Sequence, residues 1–326
     1  MLFVKNPSLD PWFNIAAEEY LLKHFDKEVI MLWRSNPSII VGKHQNTLAE
    51  INLEYVRKNE IPVVRRLSGG GTVFHDPGNI NFTFIKKADK ENLVNFRLHT
   101  QPVIDFLQNL GVDARFEGKN DLRVNGLKIS GNAEHIHKEK VLHHGTLLFD
   151  SDLENLNEAI KTKEKNFESK AVKSVRSTVA NISSFLHTPM SRDDFMEKLE
   201  GYFLKQNPFL ERYDLQADDI RAINRLKEEK YVKWEWNFGW SPVYIFKNRV
   251  KFNEKDLSLE MKVNRGKVEF ASIFINDTEL DKNELLISGL KGIQHKPEEI
   301  AKLLAETDFY GFNSLNDPWQ LLGLFF

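Results

Sequence analysis

The stretch RRLSGGGTVFHD, residues 65–76, places three consecutive glycines between two short apolar runs that are typical of strands. Glycine loses more conformational freedom on folding than any other residue, so some interaction must offset the entropic cost of a triglycine. One interpretation is a loop whose backbone approaches a ligand closely and presents N–H groups to an anionic oxygen. The other is a tight turn or bulge without a ligand. From this stretch alone both interpretations stay open.

Two arginines precede the glycines and favour a phosphate as the ligand. Arg65 and Arg66 offer planar charged donors that suit phosphate oxygens, although a solvated surface pair is the alternative. The loop is not a Walker motif, because no Gly-Lys-Ser/Thr ends it and no helix is expected directly after it.

A second informative stretch is KNDLRVNGLKISGNA, residues 119–133. Asn125-Gly126 is the strongest hairpin signal in the chain, so Asp121–Val124 and Leu127–Ala133 are predicted to pair as strands. Strand alternation directs Lys128 away from its two apolar neighbours. Facing a pocket, Lys128 would neutralise a carboxylate and a phosphate that must meet; a solvent-facing strand lysine is the alternative.

Three further stretches carry weaker signals. In VLHHGTLLF, residues 141–149, His143 and His144 point to opposite faces of a strand, so they cannot easily share one metal ion and a zinc site is not expected. The stretch SVRSTVANI, residues 174–182, holds one arginine that would bind phosphate or pair with a carboxylate. The aromatic cluster WEWNFGW, residues 234–240, is interpreted as packing between domains, with a partner-binding surface as the alternative.

Composition excludes several classes of function. The 326 residues are 41% hydrophobic and 28% charged, an ordinary globular composition with enough length for two domains. No run of about 18 apolar residues and no signal peptide is visible, and a net charge of −2 with mixed signs does not suit a nucleic-acid binder. The absence of cysteine excludes disulfides, thiolate metal sites and a cysteine nucleophile. We therefore expect a cytoplasmic protein that binds neither nucleic acid nor membrane.

The order of predicted elements indicates an α+β fold. Asp10-Pro11 marks the start of a helix that runs to about Phe25. The strand predicted at Asn79–Lys87 alternates and should be buried mostly on one face. Other strands are predicted at Val29–Trp33, Ile39–Val41, Val63–Arg66, Val112–Phe116 and Val141–Phe149, and helices at Leu53–Glu60, at Thr100–Leu110 and over most of Leu153–Lys230.

A change of composition after the aromatic cluster indicates a second domain. Alternating apolar residues on either side of Asn264-Arg265-Gly266 predict a hairpin, and a helix is predicted at Pro297–Glu306. We place the boundary near residue 246, which gives domains of residues 1–246 and 247–326, the second a small α+β domain.

Together these stretches resemble the lipoate–protein ligase A family over essentially the whole chain. The matching pieces are RRLSGGGTVFHDPGN, KNDL, KISGNA, HHGTLL, SVRSTVANI and WEWNFG, in the family's order and at its spacing. Leu67 stands where some members carry a serine, with little expected consequence because Ser68 and the glycines are retained.

The resemblance implies a catalytic domain with mixed and antiparallel sheets flanked by helices, the fold shared by biotin ligases and by lipoyl and octanoyl transferases. A small C-terminal α+β accessory domain would follow. Family members form lipoyl-adenylate from lipoate and ATP with Mg²⁺. They then transfer the lipoyl group to a lysine on lipoyl domains of 2-oxoacid dehydrogenase acyltransferase subunits or on the glycine-cleavage carrier protein.

The resemblance also implies roles for individual residues. Lys128 matches the family's key lysine, which contacts both the lipoate carboxyl and the α-phosphate, and Asp121 is the implied metal ligand. The positions implied for ATP or adenylate are Arg66, Gly71, Thr72, Val73, Phe74, Asn120, Asp121 and Lys128. Those implied for lipoate are Trp33, Ser68, Gly69, Gly70, His75 and Lys128.

Three alternatives remain beside an ATP-dependent ligase. An octanoyl or lipoyl transferase of the same fold works through a cysteine thioester, and the chain has no cysteine. A biotin ligase shares the chemistry, but HHGTLL and SVRSTVANI fit the lipoate family better. A non-catalytic sensor of lipoate or lipoyl-adenylate is disfavoured by the retention of Lys128 and of the whole glycine loop.

Overall fold

The computed structural model describes residues 1–88, 94–160, 166–281 and 284–326. Within them the helices are α1 Pro11–His24, α2 Thr47–Glu50, α3 Leu53–Lys58, α4 Phe96–Asn109, α5 Leu153–Ala159, α6 Arg192–Gln206, α7 Ala217–Leu226, α8 Leu285–Leu290, α9 Pro297–Glu306 and α10 Trp319–Leu322. The strands are β1 Leu2–Lys5, β2 Val29–Trp33, β3 Ser38–Val41, β4 Val63–Arg65, β5 Val73–His75, β6 Asn79–Lys87, β7 Arg115–Glu117, β8 Asp121–Val124, β9 Leu127–His137, β10 Lys140–Leu148, β11 Phe167–Ser169, β12 Glu211–Asp214, β13 Tyr244–Phe252, β14 Lys255–Asn264, β15 Lys267–Ile275 and β16 Thr278–Glu279.

The described chain divides into two compact units. The first unit comprises Met1–Lys43, Val56–Ile160 and Ser174–Lys233. The second comprises the described parts of His44–Tyr55, Lys161–Lys173 and Trp234–Phe326. The chain therefore enters the second unit in three separate segments. We keep the division into residues 1–246 and 247–326 as a proposal about domains.

The first unit is built on a mixed sheet in the order β12-β1-β2-β6-β10-β9-β8-β7. Strand β1 is parallel to both of its neighbours, whereas the remaining pairs are antiparallel. The expectation that Asn79–Lys87 is buried mostly on one face is wrong, because seven of its nine residues, Asn79 to Ile85, are buried. One face contributes Ile80, Phe82 and Phe84 to a core that α4 and α6 complete. Helix α1 covers the other face.

A smaller sheet in the order β4-β3-β5 carries the glycine loop of the first unit. Strand β3 is parallel to β4 and antiparallel to β5. The loop runs from the end of β4 at Arg65 to the start of β5 at Val73. The predicted strand–triglycine–strand arrangement is confirmed.

Local signals set several element ends. The Asp10 side chain accepts hydrogen bonds from the N–H groups of Trp12 and Phe13, which caps α1 as predicted. Asn125 and Gly126 both have positive φ, at 51° and 77°, which confirms the hairpin turn between β8 and β9. Helix α4 begins at Phe96, earlier than the predicted Thr100, because Asn95 caps it.

The prediction of helices over most of Leu153–Lys230 is partly wrong. Helices α5, α6 and α7 lie there, but so do strands β11 and β12, and residues 161–165 lie outside the described residues. Strand β12 pairs in parallel with β1, so its structure depends on a partner about two hundred residues away that no local pattern reveals.

The second unit has a sheet in the order β11-β13-β14-β15-β16. The predicted hairpin is confirmed as β14 and β15, and α9 has the predicted bounds. The Trp234 ring stacks on Phe238 and lies where a Cβ at Gly266 would clash, at 2.5 Å. None of the helices in the described ranges is long and apolar enough to cross a bilayer.

Candidate functional site

The side chain of Arg66 holds the glycine loop in shape. Its Nε donates to Ser68 Oγ at 2.9 Å and its Nη1 to the carbonyl oxygen of Ile40 at 3.1 Å. Its Nη2 donates to the carbonyl oxygens of Gly69 at 2.6 Å and Gly71 at 2.8 Å. Arg66 is 5% exposed, so the interpretation of a solvated arginine pair is wrong. Burial lowers the pKa of Arg66 to about 10, which leaves the side chain charged at neutral pH.

The neighbouring arginine has a similar structural role. Arg65 is fully buried, and its Nη1 donates to the carbonyl oxygens of Gly42 at 2.9 Å and Lys43 at 3.2 Å. The positive charge of both arginines is thus buried beside the loop. Some of the N–H groups of both guanidinium groups donate to backbone carbonyl oxygens of the protein itself.

The central glycine of the loop has a conformation that side chains rarely adopt. Gly70 has φ +88°, and a Cβ there would lie 3.0 Å from Arg66 Nη2 and 3.8 Å from Ala133 Cβ. The loop therefore lies against strand β9. A Cβ at Gly69 would meet nothing within 4 Å. Backbone conformation and a close contact therefore favour glycine at position 70, whereas available space does not require glycine at position 69.

A buried chain of hydrogen bonds extends from the loop into the core. Ser68 Oγ lies 2.6 Å from His144 Nε2, and His144 Nδ1 lies 2.9 Å from Glu18 Oε2. Glu18 Oε1 accepts from Thr83 Oγ1 at 2.6 Å, and Thr83 Oγ1 accepts from Trp33 Nε1 at 2.9 Å. Four of these side chains are 4% exposed or less, and His144 is 9% exposed. The predicted lipoate positions Trp33 and Ser68 are thus joined through residues that the sequence did not single out.

His75 lies beside this chain. It is 3% exposed, and its ring packs edge-on against Trp33 with centroids 5.5 Å apart. Among the described residues its Nδ1 has no hydrogen-bond partner. Burial, together with the positive charge of Arg66, lowers the pKa of His75 to about 3, so the ring is neutral at neutral pH.

The predicted lysine lies in an ion-pair cluster at the start of β9. Lys128 Nζ lies 2.8 Å from Asp121 Oδ1, and Arg123 Nη2 lies 2.8 Å from Asp121 Oδ2. The side chain of Lys128 is 23% exposed and runs over Gly131, where a Cβ would lie 3.2 Å from Nζ. Lys128 is therefore not an ordinary solvent-facing strand lysine.

Asn120 is tied to strand β9. Its carbonyl oxygen accepts from Asn132 N at 3.1 Å and from Asn132 Nδ2 at 3.0 Å, while its own Nδ2 donates to the carbonyl oxygen of Asn132. These bonds fix the backbone that presents Asp121. The structure thus brings Asn120, Asp121 and Lys128 into one cluster.

The segment of residues 174–182 connects the glycine loop to this cluster. The N–H of Thr72 donates to Ser174 Oγ at 2.9 Å, and the N–H of Lys128 donates to the carbonyl oxygen of Thr178 at 2.9 Å. The loop and the lysine, which are more than fifty residues apart in sequence, are therefore held by one short segment. These two contacts are made through a serine hydroxyl and a backbone carbonyl, groups that the sequence analysis did not single out.

The predicted nucleotide-binding residues Val73 and Phe74 lie on strand β5. Val73 is partly exposed and Phe74 is 2% exposed, so of these two side chains only that of Val73 lies at the surface. The glycine loop gathers Ser68, Gly69, Gly70 and Gly71 around Arg66. Phe74 instead packs into the interior, with its backbone paired to Ile39.

The sequence reasoning missed Glu18, His144 and Thr83 as members of the site. Glu18 lies on α1 among residues that are buried, and a carboxylate on an apolar helix face is a signal that could have been used. His144 was considered only together with His143, as a pair that cannot easily share a metal ion. It contacts Ser68 and Glu18, whereas His143 contacts Glu134.

Comparison with known proteins gives a consistent result. Residues 10–204 match the family of lipoyl protein ligase A/B catalytic domains. The lipoate–protein ligase LplJ of Bacillus subtilis is 43% identical over 279 residues, which cover 84% of each chain. Lipoate–protein ligase 1 of Staphylococcus aureus is 39% identical over 327 residues, which cover 99% of each chain.

Several solved structures resemble about three quarters of the chain. A Thermoplasma acidophilum bipartite lipoate protein ligase, solved in a study with its E2 lipoyl domain, is 27% identical with a TM-score of 0.64 and covers 73% of this chain and 96% of its own. A lipoate protein ligase of T. acidophilum with bound lipoic acid has 27% identity and a TM-score of 0.62, covering 73% and 98%. A lipoate–protein ligase A bound with ATP has 26% identity and a TM-score of 0.61, with the same coverage.

Proposed function

The chain belongs to the lipoyl protein ligase A/B family, and from that premise we propose which of its residues carry the reaction. It is an enzyme that ligates lipoate to proteins at the expense of ATP. The contact that supports the residue assignment best is the ion pair of Lys128 with Asp121, held beside the glycine loop by residues 174–182.

In the first step a lipoate carboxylate oxygen attacks the α-phosphorus of ATP, and pyrophosphate leaves. Both reactants are anions, so their approach must be offset by positive charge and by N–H donors. Lys128 supplies the cation, since its ammonium group is partly exposed and lies 2.8 Å from one carboxylate oxygen of Asp121. The end of the glycine loop at Gly71 and Thr72, followed by Val73 and Phe74 and held in shape by Arg66, would bind the nucleotide.

In the second step the neutral amine of the acceptor lysine attacks the carbonyl carbon of lipoyl-adenylate, and AMP leaves. No side chain of the enzyme needs to become acylated, which agrees with the absence of cysteine. We place the lipoyl carbonyl beside Ser68, Gly69 and Gly70, and the dithiolane end of lipoate beside Trp33 and His75. Trp33 is 1% exposed, so admission of this end requires local rearrangement.

Mg²⁺ would accompany ATP, and the residues present fit it. Mg²⁺ prefers hard oxygen ligands and is commonly bound by one or two carboxylates together with substrate phosphates. Asp121 offers such a carboxylate, and each oxygen keeps a lone-pair site beyond the one used by Lys128 or Arg123. Asn120 positions the backbone of Asp121. The ion would supply charge neutralisation on the phosphates.

The acceptors proposed are the lipoyl domains of 2-oxoacid dehydrogenase acyltransferase subunits and the glycine-cleavage carrier protein. The reaction that places lipoate on such a domain consumes intracellular ATP, so we propose that the protein works in the cytoplasm. The E2 lipoyl domain studied with the T. acidophilum ligase supports a lipoyl domain as the acceptor class.

The test is incubation of the purified protein with lipoate, ATP, Mg²⁺ and a lipoyl domain, followed by intact mass measurement of the domain. A lipoyl mass increase that depends on ATP and on the acceptor lysine is expected. Formation of lipoyl-adenylate without transfer would favour a sensor. A mass increase with biotin in place of lipoate would overturn the substrate assignment.

The role of Lys128 is tested by Lys128→Ala, with the exposed Lys119→Ala as its matched control. Loss of one preorganised charge at the reacting centre costs about 10²–10³-fold, so pyrophosphate release should fall by that factor with unchanged circular dichroism. Lys119→Ala should keep its rate. Equal rates of pyrophosphate release for the two variants would show that Lys128 has no role in the reaction.

A further inference from the structure

A second group of buried polar side chains lies between α4 and the strands β9 and β10. His99 Nδ1 and His143 Nδ1 each lie 2.9 Å from the same carboxylate oxygen, Glu134 Oε1. His99 is 4% exposed, His143 is fully buried and the Glu134 side chain is 2% exposed. The three ligand-type atoms lie within 4.8 Å of one another. The ligase chemistry uses none of these side chains.

A neighbouring amide fixes the environment of the second nitrogen of His143. Asn132 Oδ1 lies 3.3 Å from His143 Nε2. The orientation of this amide is set, because Asn132 Nδ2 donates to the carbonyl oxygen of Asn120 at 3.0 Å and to Ser130 Oγ at 3.2 Å. Turning the amide over would place its oxygen against a carbonyl oxygen.

The two contacts of His143 cannot both be hydrogen bonds of a neutral imidazole. A neutral ring has one N–H group and one lone pair, and both Glu134 Oε1 and Asn132 Oδ1 are acceptors. If Nε2 donates to Asn132, the lone pair of Nδ1 faces the carboxylate. If instead Nδ1 donates to Glu134, the lone pair of Nε2 faces Asn132 Oδ1 at 3.3 Å. A metal ion bound to Nδ1 would satisfy both contacts, because Nε2 would then donate to Asn132, and so would a second proton on the ring.

The group is shielded from solvent, since all three side chains are buried. A carboxylate oxygen together with imidazole nitrogens is a donor set that binds divalent metal ions in proteins.

We propose that His99, Glu134 and His143 bind one divalent transition-metal ion, with zinc the best match to the donor set. Two imidazole nitrogens and one carboxylate oxygen are typical zinc ligands. Ligand atoms about 2.0 Å from a tetrahedral ion lie roughly 3.3 Å apart. The observed 2.9 Å separations need only a small outward movement.

The surroundings of His143 match those of a metal ligand. Metal-bound histidines almost always donate their other ring N–H to a fixed acceptor, which sets the tautomer and the ring orientation. Asn132 Oδ1 is that acceptor for His143. Glu134 is held as well, since its Oε2 accepts from the N–H of Asn95, the cap of α4. A bound ion would tie the start of α4 to β9 and β10.

The test is cobalt(II) titration of the full-length protein after treatment with a chelator, followed by visible absorption. Cobalt(II) in a tetrahedral site with nitrogen and oxygen ligands absorbs visible light, and one equivalent should bind and be displaced by zinc. Elemental analysis of protein purified without chelator is expected to find zinc at one ion per chain. Absence of both signals would overturn the proposal.

Variants separate this site from adventitious binding. His99→Asn and Glu134→Gln should each weaken cobalt affinity at least 100-fold, and zinc should raise the melting temperature of the unaltered protein but not of these variants. His135→Gln, on the same strand as Glu134 but outside the group, should keep the full signal. Binding retained by both ligand variants would contradict the assignment. If His99→Asn fails to fold, the nearly isosteric Glu134→Gln decides.

Discussion

The hydroxyl of Ser68 lies 2.6 Å from Nε2 of His144, with both side chains buried. Glu18 can only accept, so His144 Nδ1 carries the proton and Nε2 accepts from the Ser68 hydroxyl. Ser68 in turn accepts from Arg66 Nε. Every donor in this chain meets an acceptor, in contrast to the arrangement around His143. The glycine loop is thus anchored to α1 by a fully matched network.

The network predicts the effect of Glu18→Gln. The remaining oxygen can still accept from His144 Nδ1 and Thr83 at the Oε1 position, but an NH₂ group then replaces the second acceptor and lies about as close to the Nδ1–H. We expect the free energy of unfolding to fall by about 1–3 kcal/mol, measured by urea denaturation. The exposed Glu139→Gln should change it by less than about 0.5 kcal/mol. Equal free energies of unfolding for the two variants would show that the hydrogen bonds of Glu18 do not contribute to stability as proposed.

Arg66→Lys should damage the loop despite the conserved charge. A lysine has one ammonium group and cannot reproduce the separate bonds to Ser68, Ile40 and the two glycine carbonyls. We expect about 3 kcal/mol of destabilisation and faster hydrogen exchange at residues 69–72, measured by mass spectrometry. Arg225→Lys, on an exposed helix face, is the control. Unchanged exchange in the loop would rule out the bracing role of Arg66.

Two glycines of the loop should respond differently to the same substitution. Gly70→Ala must hold a side chain at φ +88° beside the Arg66 guanidinium, which costs about 1–2 kcal/mol of stability. Gly69→Ala adds a methyl group where nothing lies within 4 Å, so its thermal stability should stay close to that of the unaltered protein. A melting temperature lowered equally by both would contradict this account.

His75 should make the fold sensitive to acid. Its pKa is lowered to about 3 by burial and by Arg66, with a further contribution from His144, whereas in the unfolded chain it is about 6.5. The unfolded state therefore binds the proton first, and stability falls as pH drops below 6.5, by about 1.4 kcal/mol per pH unit until the folded pKa is reached. His75→Phe should remove this contribution. Urea denaturation between pH 4 and 7 should give a shallower pH dependence for the variant; parallel curves would refute the assignment.

The sequence alone determined the parts of this protein that depend on neighbouring residues. The cap at Asp10, the Asn125-Gly126 turn and the strands around the triglycine follow from local backbone preferences, and the structure confirms them. The lack of cysteine and the six motifs in register determined the family and the type of chemistry.

Tertiary structure alone decided which partner each side chain meets. Arg66 donates to carbonyl oxygens of its own loop, partners that the sequence did not indicate, while its role in nucleotide binding stays a prediction. His143 and His144 are adjacent, yet one meets Glu134 and the other meets Glu18, 126 residues away. The edge strand β12 exists because β1 lies beside it. Hydrogen bonds and burial depend on which groups folding brings together. The distance between two residues along the chain does not indicate whether they will be in contact.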